Sequence, residues 1–385
     1  MLFLATVVIL SSLGLGHKIV ERKMIPSDAG SHVWRVDLRS VGFTGFAPKQ
    51  EQWGLNLRQN PVAFSANSVL IATFITHEEV TTLARRDKPG DVLPLRLHAV
   101  FLNVDASKIQ VTKEWSITRP RGGIVANGHG GFVLLTPGLI AVYSSSVELV
   151  NKLDLSSKQQ SDLWDFHTSP TGKSILIEYH RPETSFQWMD ASSLRSELSW
   201  DETMGFGSIS DGEIAFSRET FVKSTGFIHE VLLRPRVGPE QTICRGIAGR
   251  GDSCGTPQFV SNDVLALLMP HELSVVPRTG GDALLKASFH DDEWLGRPLH
   301  PSADGQRFAV TVWAHKGGNA FFDIDSHSVL KRIVVYDLPS SRAVYTLDAK
   351  QRKIKNVSGV ALSPDGSLLA VLTDGVVEVY RVPAL

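Results

Sequence analysis

Cysteine is almost absent from this 385-residue chain: there are two, Cys244 and Cys254, in CRGIAGRGDSC. Two thiolates with no neighbouring histidine pair lack the remaining ligands of a structural zinc site. Charge of one sign is also missing, since 39 Lys and Arg face 40 Asp and Glu. That balance excludes a nucleic-acid coat or a surface built for anionic membranes. There is no Gly-rich phosphate loop, no Gly-x-Ser-x-Gly elbow, no His-Glu-x-x-His and no Cys-x-x-Cys pair. Enzymes that depend on those linear motifs are therefore excluded. A catalytic site here would have to be assembled from distant parts of the chain.

Long apolar runs are missing too, apart from one at the start, LFLATVVILSSLGLG. A spanning helix needs about 20 apolar residues, and this run meets His17-Lys18 first. Its length suits a secretory signal over residues 1–16, with Gly14 and Gly16 as small residues for cleavage, and a linker over 17–30. No Lys or Arg precedes the run, which a misassigned start or an uncleaved anchor would explain. The expectation is export to a periplasmic or extracellular space, with no membrane span after cleavage. The alternatives are a cytoplasmic chain or one anchored by its N-terminus. In an oxidising compartment Cys244 and Cys254 would close a short disulfide loop, stabilising by about 2–3 kcal/mol on the chain-entropy model.

What the chain has in abundance is a turn phrase. It is clearest in Val360 to Pro383, VALSPDGSLLAVLTDGVVEVYRVP, where apolar runs are joined at Ser363–Gly366 and Asp374-Gly375. Asp-Gly between apolar runs is a strong hairpin signal, because Gly accepts the positive φ of tight turns. The phrase recurs, worn to different degrees, with an anchor residue before each strong strand: Ser65, Asn127, Ser169, Ser210, Ser261, Ser302 and Ser363. Successive anchors stand 62, 42, 41, 51, 41 and 61 residues apart. A period near 40 with insertions is the signature of four-stranded propeller blades, and seven anchors mean seven blades. Third strands follow at Ala99–Asp105, Leu139–Ser144, Phe186–Asp190 and Arg332–Leu338, and fourth strands at Val111–Ile117, Ser196–Trp200 and Ala343–Ala349. Blade four resists division, because Phe216–Val237 holds too many polar residues.

The last unit stops after three strands, and an open edge would invite aggregation. The missing strand is expected at His32–Leu38, where Trp34, Val36 and Leu38 alternate with Arg35 and Asp37. Trp53, Leu55 and Leu57 are the second choice. The fold expected is all-β: a seven-bladed β-propeller over residues 31–385, its last blade closed by an N-terminal strand.

Phrases such as VALSPDGSLLAVLTDGVVEVYRV and PSADGQRFAVTVW resemble the WD40-like and YVTN-type repeats of bacterial β-propellers. The chain is similar over most of residues 31–385 to exported propellers of that kind. The resemblance implies the fold and no activity, since propellers serve as scaffolds, ligand binders and enzymes. The third strands offer Tyr336-Asp337 or Tyr380-Arg381 where a WD40 blade has Trp-Asp.

In such a ring the loops between second and third strands, and those leading into each first strand, share one face opposite the anchor turns. The long insertions His77–Leu95, His180–Ser185 and His315–Ser328, and the Cys244–Cys254 loop, fall on that face. Any binding surface is expected there. His77, His180, His271 and His315 each follow their anchor by 10 to 13 residues. That spacing aims four imidazoles at one rim, a ring that would hold a divalent metal or an anion. The competing reading is four unrelated, solvated histidines. His167 and His300 stand two residues before their anchors, where a buried, hydrogen-bonded turn residue is expected. The acidic runs at His290–Glu293 and Asp323–Asp325 lack calcium-loop spacing and read as solvated loops. Arg250-Gly251-Asp252 spells the integrin tripeptide, a motif too short to carry a function.

These signs favour a monomeric binding or scaffold protein that recognises a protein or polar ligand, with no nucleic acid and no required cofactor. The alternative is a propeller hydrolase or lyase with a metal at the histidine rim.

Overall fold

A computed structural model describes residues 19–20, 32–41, 60–74, 95–105, 108–117, 123–126, 130–136, 138–155, 163–180, 184–201, 205–223, 226–247, 254–269, 271–315, 328–352, 354 and 357–384. Among them the strands form seven sheets, antiparallel but for one short N-terminal pairing, in succession along the chain. These are the seven blades of a propeller. The first runs from Val62–Ala66 to Lys108–Ile117, and the seventh begins at Val357–Leu362.

The chain's runs of unbroken apolar residues follow from this arrangement. A blade's second strand has a neighbouring blade on each face, so both sets of alternating side chains are buried. Leu369, Ala370, Val371 and Leu372 are all within 1% of full burial. Val371 packs with Tyr345 and Val335 of blade six, whereas Leu372 packs with Trp34 and Phe64 on the blade-one side. The described core falls into seven clusters, each lying between adjacent blades.

The anchor turns have a common chemistry. Ser363 Oγ donates to Asp365 Oδ1 at 2.6 Å and accepts from Leu368 N at 2.9 Å. Ser302 does the same with Asp304 Oδ1 at 2.6 Å and Arg307 N at 3.0 Å. Each hydroxyl thus welds the turn carboxylate to the first amide of the next strand, which explains why both serines are fully buried. Gly366 in the second of the two paired positions sits at φ +66°, where a side chain would be strained. Neighbouring turns are stitched together as well. Asn67 Nδ2 donates to Asp365 Oδ2 at 3.0 Å, and Asn262 Nδ2 donates to Asp211 Oδ2 at 2.8 Å. The first of these joins blade one to blade seven across the ends of the chain.

His32–Asp37 pairs antiparallel with Val376–Arg381 and completes the seventh blade as its outer strand. Trp34 and Leu38 are buried, Val36 is half-buried, and Arg35 and Asp37 are exposed, as the alternation requires. Trp53, Leu55 and Leu57 lie outside the described residues, as do residues 1–16. Within the segment read as a linker, Ile19–Val20 pairs parallel with Ala287-Ser288 on the outer strand of blade five. Among the described residues no helix is long and apolar enough to cross a membrane.

Blade four resolves as a long hairpin, Glu213–Val222 with Gly226–Pro235, paired over its whole length. Its far half is polar because it extends past the packed ring. Phe221 and Phe227 sit at the tip, 65% and 52% exposed, with ring centroids 5.2 Å apart. Cys244, on the blade's outer strand, is disulfide-bonded to Cys254 at the entry to blade five.

Candidate binding site in the central channel

The inner strands of all seven blades line a cavity of ≈ 460 Å³ along the propeller axis. Every residue of its wall lies between five before an anchor and one after it, so the cavity occupies the half of the channel nearer the anchor turns. The residues two before the anchors recur around this wall: Ala63, Val125, His167, Ser208, Phe259, His300 and Ala361. The spacing of His167 and His300 before their anchors predicts buried, hydrogen-bonded turn residues, and both are half-buried. They are hydrogen-bonded, as expected, but they also face the channel, and the register of the anchors was the signal that could have found them.

Blade six breaks the symmetry. Its inner strand is split into Glu293–Leu295 and His300–Pro301, with Gly296–Leu299 bulging between. Two contacts flank the break. Gly296 N donates to Thr311 O at 2.8 Å, and a Cβ there would fall 2.0 Å from Thr311 Oγ1, so only glycine fits. Leu299 N is turned away from its own blade and donates to Gln258 Oε1 of blade five at 2.7 Å. The bulge places Arg297 and Pro298 in the cavity wall.

The wall is electrostatically one-sided. It contains Arg297, His167 and His300, with the polar side chains of Asn60, Thr168, Ser169, Ser208 and Gln258, and no Asp or Glu. His167 Nε2 lies 3.0 Å from Glu178 Oε2, a carboxylate buried behind the wall. Asn60 bridges three blades: its amide donates to Val360 O and approaches His300 Nδ1 at 3.4 Å. Desolvation lowers the pKa of Arg297, although the residue as a whole is exposed, and holds that of half-buried His300 down at about 4, against 6.5 for an ordinary imidazole.

The His300 shift has a consequence for stability. A histidine with a depressed native pKa contributes stability that is complete above pH 6.5 and is lost as pH falls through about 4. His300 is only half-buried, which moderates the penalty, so this residue is expected to account for about 1–3 kcal/mol of acid destabilisation. Urea midpoints across that window should fall more steeply for the wild type than for His300→Leu. Parallel slopes would show that the imidazole titrates normally.

The rim histidines are less fully placed. His77 lies outside the described residues. His180 and His315 close the second strands of blades three and six, and only their backbone is described. His271 is exposed and donates from Nδ1 to Glu293 O at 2.8 Å, tying blade five to blade six. Among the described residues no three His, Cys, Asp or Glu side chains converge as a metal site would require. The acidic run His290–Glu293 is not a solvated loop throughout: Glu293 is buried and grips Arg332 through both oxygens, at 2.6 and 2.9 Å. Asp323–Asp325, Arg250-Gly251-Asp252 and the insertions at 75–94, 181–183 and 316–327 lie outside the described residues.

Asp337, where a WD40 blade has the Asp of its Trp-Asp pair, accepts from Arg307 Nε at 3.1 Å and from Ser340 N at 3.0 Å. Arg307 also donates to Gly366 O at 3.1 Å, so the Asp steadies a clamp onto blade seven. Burial would raise the pKa of Asp337, but the Ser340 and Arg307 bonds outweigh it and lower it.

No family model matches the chain, and no curated protein matches it in sequence. The solved structures it resembles include the WD40 domain of Pan2 from Neurospora crassa, 13% identical, with 92% of this chain and 96% of that one covered and a TM-score of 0.51. A chain of the mitotic checkpoint complex is 11% identical, with 94% and 98% covered and a TM-score of 0.51. The fold is that of a WD40-type seven-bladed propeller. At these identities the likeness extends to architecture alone, and the WD40-type ring here is closed and clamped by residues of its own.

Proposed function

We propose that the chain is an exported recognition propeller, akin to the bacterial YVTN-type repeats its turns resemble, that binds a protein through its insertion-bearing face. The observation that carries this reading is the tip of blade four. A hairpin between second and third strands projects on that face, and Phe221 and Phe227 stand exposed at its end. Two adjoining exposed aromatics are costly to leave in water and are typical anchors of protein interfaces. The WD40-type fold supports the same reading, since such rings commonly act as protein-binding scaffolds. The disulfide between Cys244 and Cys254 supports an oxidising compartment.

The test is a double variant, Phe221→Asp with Phe227→Asp, in the full chain. Both side chains are exposed, so the melting temperature should not change. Proteins captured by the immobilised wild type should bind the variant about 30-fold or more weakly, as expected for a central aromatic pair. Quantitative mass spectrometry of the captured set reads this directly, and an unchanged set would remove the tip from the interface.

A further inference from the structure

Around the bulge in blade six, the residues that line the channel carry several hydrogen-bond donors that meet no acceptor among the described residues. The orientation of each follows from what holds its other side. Leu299 N can only donate, so the oxygen of Gln258 must face it at 2.7 Å, which leaves the Gln258 NH2 pointing elsewhere. Asn60 Nδ2 has no acceptor lone pair, so His300 Nδ1, 3.4 Å away, is the unprotonated nitrogen and the ring proton is on Nε2. Ser208 Oγ already accepts from Phe259 N at 3.1 Å, so its proton is available to a further acceptor. Among the described residues, the Gln258 amide nitrogen, His300 Nε2, the Ser208 hydroxyl and the Arg297 guanidinium meet no acceptor. All four residues line the cavity, and the wall has no carboxylate to compete for them.

We propose that this sector of the channel, formed by Arg297, His300, Gln258 and Ser208 on blades four to six, binds a small oxyanion, the phosphate or carboxylate group of a low-molecular-weight ligand. Arg297 supplies the charge and a planar fork that matches two oxygens of such a group. The neutral His300, the Gln258 amide and Ser208 supply directed donors without adding repulsion. A cavity of ≈ 460 Å³ has room for the anionic group and a small organic body. Arg297 is exposed at the cavity wall, and with no Asp or Glu in that wall it meets no counter-charge there, which a bound anion would supply. The site lies in the opposite half of the ring from the blade-four tip, so it goes beyond the protein-binding reading and stands or falls separately from it.

Isothermal titration of the full chain with inorganic phosphate, and in parallel with succinate at matched ionic strength, tests this. At least one anion should bind saturably at a single site. Phosphate alone would assign the ligand class to phosphates and succinate alone to carboxylates. Arg297→Ala should weaken binding about 10- to 100-fold, as loss of a charge-assisted pair does. Gln258→Glu keeps an oxygen for Leu299 N but replaces the donor with an anion, and should weaken binding by at least as much. Arg195→Ala, at an exposed turn of blade three, should leave it unchanged. Should Arg297→Ala fail to fold, Gln258→Glu decides the matter. The proposal is overturned if neither anion gives a saturable signal into the millimolar range, or if folded Gln258→Glu binds as the wild type does.

Discussion

Arg332→Ala is expected to destabilise the protein by about 3–5 kcal/mol, the range for stripping the partner from a buried charge. Glu293 and Arg332 are 5% and 8% exposed and meet through two parallel bonds at 2.6 and 2.9 Å. They reach each other from either side of the strand Arg307–His315, since Glu293 is in register with Ala314 and Arg332 with Val312. The pair therefore holds the first part of the split inner strand onto its blade. Without Arg332 the carboxylate would keep only His290 N, at 3.3 Å. Burial pushes the pKa of Glu293 up, but Arg332 and His290 N overcome that and bring it below 4.5. The stability linked to this shift is accordingly complete above pH 4.5 and disappears as pH falls through the lower native value. Arg332→Ala should flatten that acid limb while lowering stability at neutral pH. The double variant Glu293→Leu with Arg332→Met should recover most of the loss, because apolar pairs of similar volume commonly replace buried ion pairs at little cost. Urea denaturation of the three proteins measures all of this. A single-variant loss under about 1 kcal/mol would mean that water reaches the pair.

The ring was readable from sequence because burial imposes it locally. Every Ser-x-Asp-Gly turn needs a hydroxyl under the loop and a glycine at its end, and the second strands are mainly apolar where a blade packs on each face. Those demands leave a mark at Ser302 and Ser363 that survives divergence. The closing strand was readable for the same reason, since Trp34 and Leu38 alternate with Arg35 and Asp37 where one side meets blade one and the other meets water. Blade four was not readable, because beyond the ring no neighbouring blade packs on its hairpin and its side chains, from Arg218 to Phe227, obey no burial pattern. The bulge of blade six was invisible for a different reason. Whether Gly296 interrupts a strand depends on how close Thr311 approaches from the next strand, and no local pattern encodes that distance. The channel donors follow from the bulge, so they were hidden with it.

Deleting residues 1–41 should have the largest effect of all, because it removes an outer strand and one wall of a core at once. Trp34 and Leu38 belong to the cluster between blades seven and one, with Val377, Val379, Leu70 and Phe74. Leu38 N also caps the last hairpin by donating to Gly375 O at 2.8 Å. Trp34→Ala alone is expected to cost about 3–5 kcal/mol, as large-to-small changes of buried aromatics do. The deletion adds to that loss the exposed edge of Val376–Arg381, whose unpaired N–H and C=O groups would seek other chains. Ring closure makes the damage non-local. A propeller has no free end, so an open blade seven loosens the contact of its inner strand with that of blade one, and the Asn67–Asp365 stitch has nothing left to hold. Hydrogen exchange should therefore show lost protection first in blades seven and one, on both sides of the cut, with protection in blade four falling last. Trp34→Ala should reproduce that pattern in milder form without aggregation. Uniform loss of protection in all blades would instead mean that the ring unfolds as one unit. A deleted chain that stays monomeric and keeps its melting temperature would show that three strands suffice for blade seven, and that the N-terminal strand covers an edge without closing the ring.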